Sequence, residues 1–209
     1  MKEKVLKTLK WFYQSFIWLF IILLTVDIVT KQVMLHNMTE GQSIELIPNF
    51  LRITLVFNRA AAFGIGFANA TVNRWLYVAV ASVATIGICF FYYKKHKELA
   101  LYVRACLMLV LTGAIGNLID RLFYSQTEFC VVDWIDFVGI WRWVFNIADA
   151  GVVIGAFMMI IYLIIDEVKE YKRRKASEPQ AEGKVLSKTE QEKNKYLKEE
   201  EHDSEKVDN

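Results

Sequence analysis

Cysteine and histidine are scarce in this chain, and the few that occur stand apart. The three cysteines, Cys89, Cys106 and Cys130, form no CxxC pair, and two of them fall in apolar stretches where a small thiol is ordinary packing, so no disulfide framework is indicated. The three histidines, His36, His96 and His202, are scattered over different loops and the tail, and no His-based metal site is expected. A basic stripe interleaved with stacking aromatics is also missing, which argues against nucleic-acid binding. No internal repeat is visible, and this weakens transporter readings that rest on duplicated halves.

What the chain does have is apolar length. Of 209 residues, 55% are hydrophobic and 14% aromatic, and the mean hydropathy is +0.26 in spite of a strongly charged tail. A hydrocarbon core of roughly 30 Å needs about 20 mostly apolar residues to cross. Four windows qualify, at about 11–35, 75–93, 99–124 and 146–165. The first could be mistaken for a cleaved secretory signal, but no small-x-small pattern follows Leu24, and Asp27 and Lys31 come next, so an uncleaved span is expected. The fold class expected is an α-helical integral membrane protein with four transmembrane helices. Residues 1–165 form the membrane domain, and 166–209 form a charged tail, disordered or loosely helical, rich in Lys, Glu, Ser, Gln and Asn.

Basic residues set the orientation. Lys2, Lys4, Lys7 and Lys10 precede the first span, Lys94, Lys95 and Lys97 follow the second, and Lys169, Lys172, Arg173, Arg174 and Lys175 follow the fourth. Both termini and the loop between spans two and three are therefore expected in the cytoplasm, with residues 36–74 and 125–145 outside. In the first outer loop, Leu51, Ile53, Leu55 and Phe57 alternate with Arg52, Thr54 and Val56. That pattern predicts a short strand, with 44–48 as a possible partner, making a small extracytoplasmic sheet platform. Trp134, Trp141 and Trp143 in the second outer loop suit the headgroup level.

This topology gathers the unusual polar residues at one depth. Asp27 and Lys31 end span one, Asn117, Asp120 and Arg121 end span three, and Asn146 and Asp149 begin span four. Ionisable groups at such positions are costly unless paired or facing a wet cavity. Asp27 and Lys31, at i and i+4, read as a snorkelling ion pair, and Asp120 with Arg121 also reads as structural. Two carboxylates lack a cation nearby in sequence: Asp149, and Asp133 in the apolar run Val131-Val132-Asp133-Trp134-Ile135. If they approach, repulsion and desolvation leave the pair holding one proton near neutral pH. The ionised member can then activate water while the protonated one polarises a peptide carbonyl. On composition alone Asp136 competes with Asp133.

Five strings in order, Asp27-x-x-Thr30-Lys31, Asn58-x-Ala60-Ala61-Ala62-Phe63-Gly64, Gly113-x-x-Gly116-Asn117-x-x-Asp120-Arg121, Val131-Val132-Asp133 and Asn146-x-Ala148-Asp149, give the chain its likeness to a known family. From about residue 13 to 165 it resembles the bacterial lipoprotein signal peptidases, or signal peptidase II. The resemblance implies a multi-pass enzyme of the bacterial inner membrane with its active site at the extracytoplasmic face. It implies an aspartic endopeptidase that cuts prolipoproteins just before a diacylglyceryl-modified cysteine. Asp133 and Asp149 are then the catalytic pair, in preference to Asp136. Asn58, Asn117, Arg121, Asn146, Phe63 and Gly64 are implied to bind substrate, with Asp27, Lys31, Asp120 and Gly113 in support. No metal or organic cofactor is implied. The expected partners are diacylated prolipoproteins and membrane lipid, not nucleic acid, and a monomer is expected. Ala60 departs from the family's usual Gly, and Trp134 from its usual Phe.

Three other functions remain to be weighed. A proton-coupled membrane transporter would use the same aspartates. A Ser/Lys peptidase would have to rely on Lys31 with the distant Ser43 or Ser125, and a non-catalytic adaptor would act through the charged tail.

Overall fold

The structure is a computed structural model and describes residues 2–59 and 69–205; within 176–205 it describes the side chain of Lys193 alone. The elements are α1 (Lys2–Ser15), α2 (Ile17–Asn37), β1 (Ser43–Ile47), β2 (Leu51–Asn58), α3 (Ala70–Lys95), α4 (Leu101–Phe123), β3 (Val131–Phe137) and α5 (Ile147–Glu205). The chain divides into two units, Met1–Ile160 and Ile161–Asn209. All the residues of the site belong to the first, and the second is helical as far as Glu205.

Among the described residues, four helical stretches are long and apolar enough to cross a membrane: Ile17–Asn37, Ala70–Lys95, Leu101–Phe123 and Ile147–Lys175. Their exposed faces show what surrounds them. On α3, Val80, Val83, Ile86 and Phe90 are all more than half exposed, an apolar stripe that water would penalise and lipid tails accept. By contrast α4 is half buried along its apolar window, whereas α3 is 6% buried, so α4 is the central helix. Asn69 starts α3 by accepting from the backbone N–H groups of Thr71 and Val72, two of the donors a helix start leaves unpaired.

Helix α4 can be central because it carries glycine where a neighbour must come close. A Cβ on Gly113 would overlap the Val152 side chain and the Ala148 carbonyl. One on Gly116 would sit 2.7 Å from Asp27 Oδ2 and 2.9 Å from Ala148 Cβ. Small residues at such seams let backbones approach where apolar burial alone provides no drive.

The strand expected from alternation in the first outer loop is present as β2, and the partner expected before it is β1. The sheet has a third strand that the sequence reading did not include: β3 pairs antiparallel with β2, giving the order β1-β2-β3. One side of this sheet packs Leu55 and Val132 against Met38 and Tyr124, with Met34, Leu35 and Ile119 around them, so the sheet sits on the ends of α2 and α4.

The first span also differs from expectation. Instead of one helix over 11–35, the chain breaks at Phe16, whose φ of 58° is left-handed, and the crossing helix begins at Ile17.

Candidate active site

The site is built where β3 and the start of α5 are brought side by side. The Phe145 carbonyl accepts from the N–H groups of Trp134 and Ile135, and the Phe145 N–H donates to the Ile135 carbonyl. This return places Asn146 next to Asp133. Asn146 then opens α5 through a reciprocal cap: its side-chain oxygen accepts from the Asp149 N–H at 2.8 Å, and its own N–H donates to Asp149 Oδ2 at 3.3 Å. The string Asn146-x-Ala148-Asp149 is thus a capping box with Asp149 at its fourth position, a device that satisfies two orphan donors of a helix start. The same geometry fixes the Asp149 carboxyl at the positive end of the helix dipole.

Asn146 also reaches the other carboxyl. Its side-chain NH2 donates to Asp133 Oδ1 at 2.7 Å, and to Asn117 Oδ1 at 3.1 Å. Asn117 in turn donates to Asp149 Oδ1 at 2.7 Å. On the far side of Asp133, Asn58 donates to Oδ2 at 2.9 Å. This contact depends on a bulge in β2: the register slips between Ile53 and Val56, so that Val56 faces Asp133 and Asn58 lies diagonal to it on the same side of the strand. Three amides therefore orient the two carboxyls. Asn58, Asn117 and Asn146, which the resemblance implies hold substrate backbone, here hold the protein's own acids.

Asp133 is 1% exposed. Burial, and then the negative charge of Asp149, push its carboxyl up to about 8. That influence means the two acids are near enough to titrate as a pair.

Beneath the pair lies a second, enclosed cluster. Lys31 Nζ is 2.8 Å from both Asp27 Oδ2 and Asp120 Oδ2, and all three side chains are essentially unexposed. The expectation of a snorkelling Asp27–Lys31 pair is corrected here, because the ammonium has no path to water and Asp120, from another helix, completes its coordination. Each carboxylate has a further task. Asp27 Oδ1 accepts from the Ala148 N–H at 2.9 Å, one residue before Asp149. Asp120 Oδ2 accepts from the Val132 N–H at 3.1 Å, one residue before Asp133. Lys31 also donates to Asn117 Oδ1 at 3.3 Å, joining the two clusters.

Arg121 faces the same region. Its Nη1 donates to the Asn117 carbonyl at 3.2 Å, and its guanidinium lies 5.3 Å from the Tyr77 ring centre. Arg74, absent from the sequence reading, supports it: Nε donates to the Arg121 carbonyl at 2.9 Å while the guanidinium stacks on Phe129 at 3.6 Å. An arginine beginning a span would have been the signal for it. Asp136 is committed elsewhere, accepting from Arg52 at 3.0 and 3.1 Å and from Thr54 at 2.9 Å. Phe63, Gly64 and Ala60 lie outside the described residues. Among those described, no cluster of His, Cys, Asp and Glu suited to a metal ion occurs.

Residues 19–165 match the family model described as signal peptidase (SPase) II. The chain is 37% identical over 155 residues to the lipoprotein signal peptidase of Clostridioides difficile (strain 630), covering 74% of this chain and 97% of that one. It is 38% identical over 159 residues to that of Burkholderia thailandensis, covering 74% and 89%. A solved structure described as "Bacterial membrane enzyme structure by the in meso method at 2.3 A resolution" superposes with a TM-score of 0.63 at 31% identity, covering 72% of this chain and 88% of that one. With four helices fit to span a membrane and a family model matched across them, this multi-pass membrane protein belongs to the signal peptidase II family of peptidases.

Proposed function

We propose that the chain is an aspartic endopeptidase that removes the signal peptide from diacylglyceryl-modified prolipoproteins, cutting just before the lipidated cysteine. The observation that carries the chemistry is the bridge of Asn146 between two acids, buried Asp133 and part-buried Asp149, with its side chain on Asp133 and its backbone N–H on Asp149. Acids held this way from separate elements can share one proton across a peptide bond.

We assign that proton to Asp133 at neutral pH, since its carboxyl is pushed up to about 8. Asp149 takes a proton from water, the resulting hydroxide attacks the scissile carbonyl carbon, and Asp133 gives its proton to the carbonyl oxygen. The tetrahedral diol then collapses. Asp149 passes its proton to the departing amine, Asp133 recovers one from a diol hydroxyl, and the pair returns to its starting state. Arg121 is suited to meet a substrate carbonyl, being a fork of fixed donors beside the acids.

Substrate placement follows from the bilayer. A signal peptide would bring its apolar helix alongside the spans, and the acyl chains on the cysteine would hold the scissile bond at the depth of the outer ends of the spans. On this reading both termini are cytoplasmic and the aspartates face the extracytoplasmic side, as the basic flanks ask. Anchoring by lipid supplies position that a soluble protease must obtain from subsite contacts.

The test uses purified protein in detergent with a diacylated prolipoprotein, comparing wild type with Asp133→Asn and Asp149→Asn. Each substitution should abolish cleavage while the thermal unfolding midpoint stays near that of wild type. Normal turnover by either variant contradicts the assignment.

A further inference from the structure

The break at Phe16 sets apart a helix that the peptidase does not use. Around the axis of α1, Val5, Leu6, Leu9, Phe12 and Tyr13 fall on one face, and every one of them is exposed. Lys4, Lys7 and Lys10 fall on the opposite face, with Thr8, Trp11 and Gln14, while Lys2 lies on the apolar side at the start of the helix. The crossing does not need α1: at 1.5 Å per residue, α2 by itself reaches about 30 Å, the thickness of the hydrocarbon layer.

The break is built rather than frayed. A helix end leaves its last carbonyls unpaired, and in or near lipid each one is expensive. Here four consecutive carbonyls are met by side chains. Phe12 O accepts from Ser15 Oγ at 2.7 Å, and Tyr13 O from Trp18 Nε1 at 3.0 Å. Gln14 O accepts from Arg104 Nη1 at 3.3 Å and Ser15 O from the Tyr92 hydroxyl at 2.6 Å. Residues of α3 and α4 thus hold the turn, so the bend belongs to the fold of the membrane domain.

We infer that α1 is an in-plane anchor, lying in the headgroup region of an anionic leaflet on the side where α2 begins. Charge complementarity names the occupant. An apolar face flanked by lysines fits acyl chains below and anionic headgroups around it, and the next helix, α2, exposes Ile21, Ile22, Val26 and Val29. This inference rests on α2 crossing the membrane and is independent of the peptidase reading.

The test places the full chain in nanodiscs of phosphatidylcholine alone, or with phosphatidylglycerol added, and reads amide hydrogen exchange over residues 2–15. Wild type should exchange about tenfold more slowly there in the anionic discs. The variant Lys4→Gln/Lys7→Gln/Lys10→Gln should lose that tenfold dependence, with exchange in α2 unchanged. A Leu6→Ser/Leu9→Ser variant should lose protection in both discs. Equal exchange in both lipids for wild type, or a lysine variant indistinguishable from wild type, would overturn the inference. So would protection that follows protein concentration instead of phosphatidylglycerol content, since a second copy would then be the occupant. Both leaflets of a nanodisc are accessible, so the readout depends neither on orientation nor on cleavage. A chain with no peptidase activity that still responds to phosphatidylglycerol would fail the peptidase reading alone.

Discussion

Lys31 lies 2.8 Å from Asp120 across two helices, and neither side chain meets solvent. Since Asp120 holds the backbone beside Asp133 and Asp27 holds the backbone beside Asp149, one ammonium ties together the supports of both acids.

Removing that ammonium should damage stability and activity together. Lys31→Met leaves two carboxylates buried without a cation, and breaking a buried pair in this way costs about 3–5 kcal/mol. The expected result is a markedly lower unfolding midpoint in detergent and no measurable cleavage. Adding Asp27→Asn and Asp120→Asn to Lys31→Met should recover part of the midpoint, because the unpaired charges are gone. A single variant that melts like wild type would show that the cluster holds nothing together.

Asn146 has two functions that substitution can separate. Asn146→Ser keeps a side chain able to cap α5 but too short to reach Asp133 and Asn117. With Asp133 protonated, the bridge is a neutral hydrogen bond of about 0.5–1.5 kcal/mol, so kcat should fall roughly twofold to tenfold with KM little changed and the unfolding midpoint modestly lowered. An unaltered kcat would mean that the bridge does not orient the pair.

These two clusters also mark how far the sequence could be read. The spans and the β1–β2 hairpin follow from local patterns: uncharged runs of sufficient length, and alternation from Leu51 to Phe57. Asp27 with Lys31 was visible as an i, i+4 pair, but the third partner, Asp120, is 89 positions further on and only packing reveals it. Strand β3 was hidden because Val131–Phe137 has no clean alternation. It is covered on both sides near Asp133, so apolar residues occupy successive positions. The break at Phe16 left no trace either. Its carbonyls are satisfied by Tyr92 and Arg104, far along the chain, while the sequence around it reads as uninterrupted span.

The pH profile should report the proton on Asp133. The carboxyl is pushed up to about 8, so the acid form dominates below that value and is lost above it. With a single essential proton, kcat/KM should fall about tenfold per pH unit on the alkaline side of roughly pH 8. Measuring initial rates between pH 6 and 10 on enzyme shown to remain folded checks this; a flat profile to pH 10 would contradict a protonated Asp133.

Asp136→Asn should spare the enzyme. Its side chain, only 12% exposed, is tied to Arg52, which is 42% exposed, and to Thr54, all through Oδ2, so the amide oxygen of asparagine keeps an acceptor for both donors. Cleavage within about threefold of wild type is expected, against complete loss for Asp133→Asn. Comparable losses from both would reopen the choice between the two acids of β3.

Close packing at Gly113 should matter to chemistry as well as to folding. A methyl there collides with Val152 and with the carbonyl of Ala148, the residue before Asp149. Overpacking of this kind costs about 1–3 kcal/mol, and relief requires α5 to move away from α4, carrying Asp149 off Asn117. Gly113→Ala should therefore reduce kcat by more than its loss of stability explains. Gly87→Ala is the control, because a methyl at that position on α3 meets nothing within 4 Å. It removes a flexible residue from a helix interior and should leave kcat unchanged, with the unfolding midpoint equal to or slightly above that of wild type. Equal kcat in the two variants would show that the seam between α4 and α5 does not set the position of Asp149.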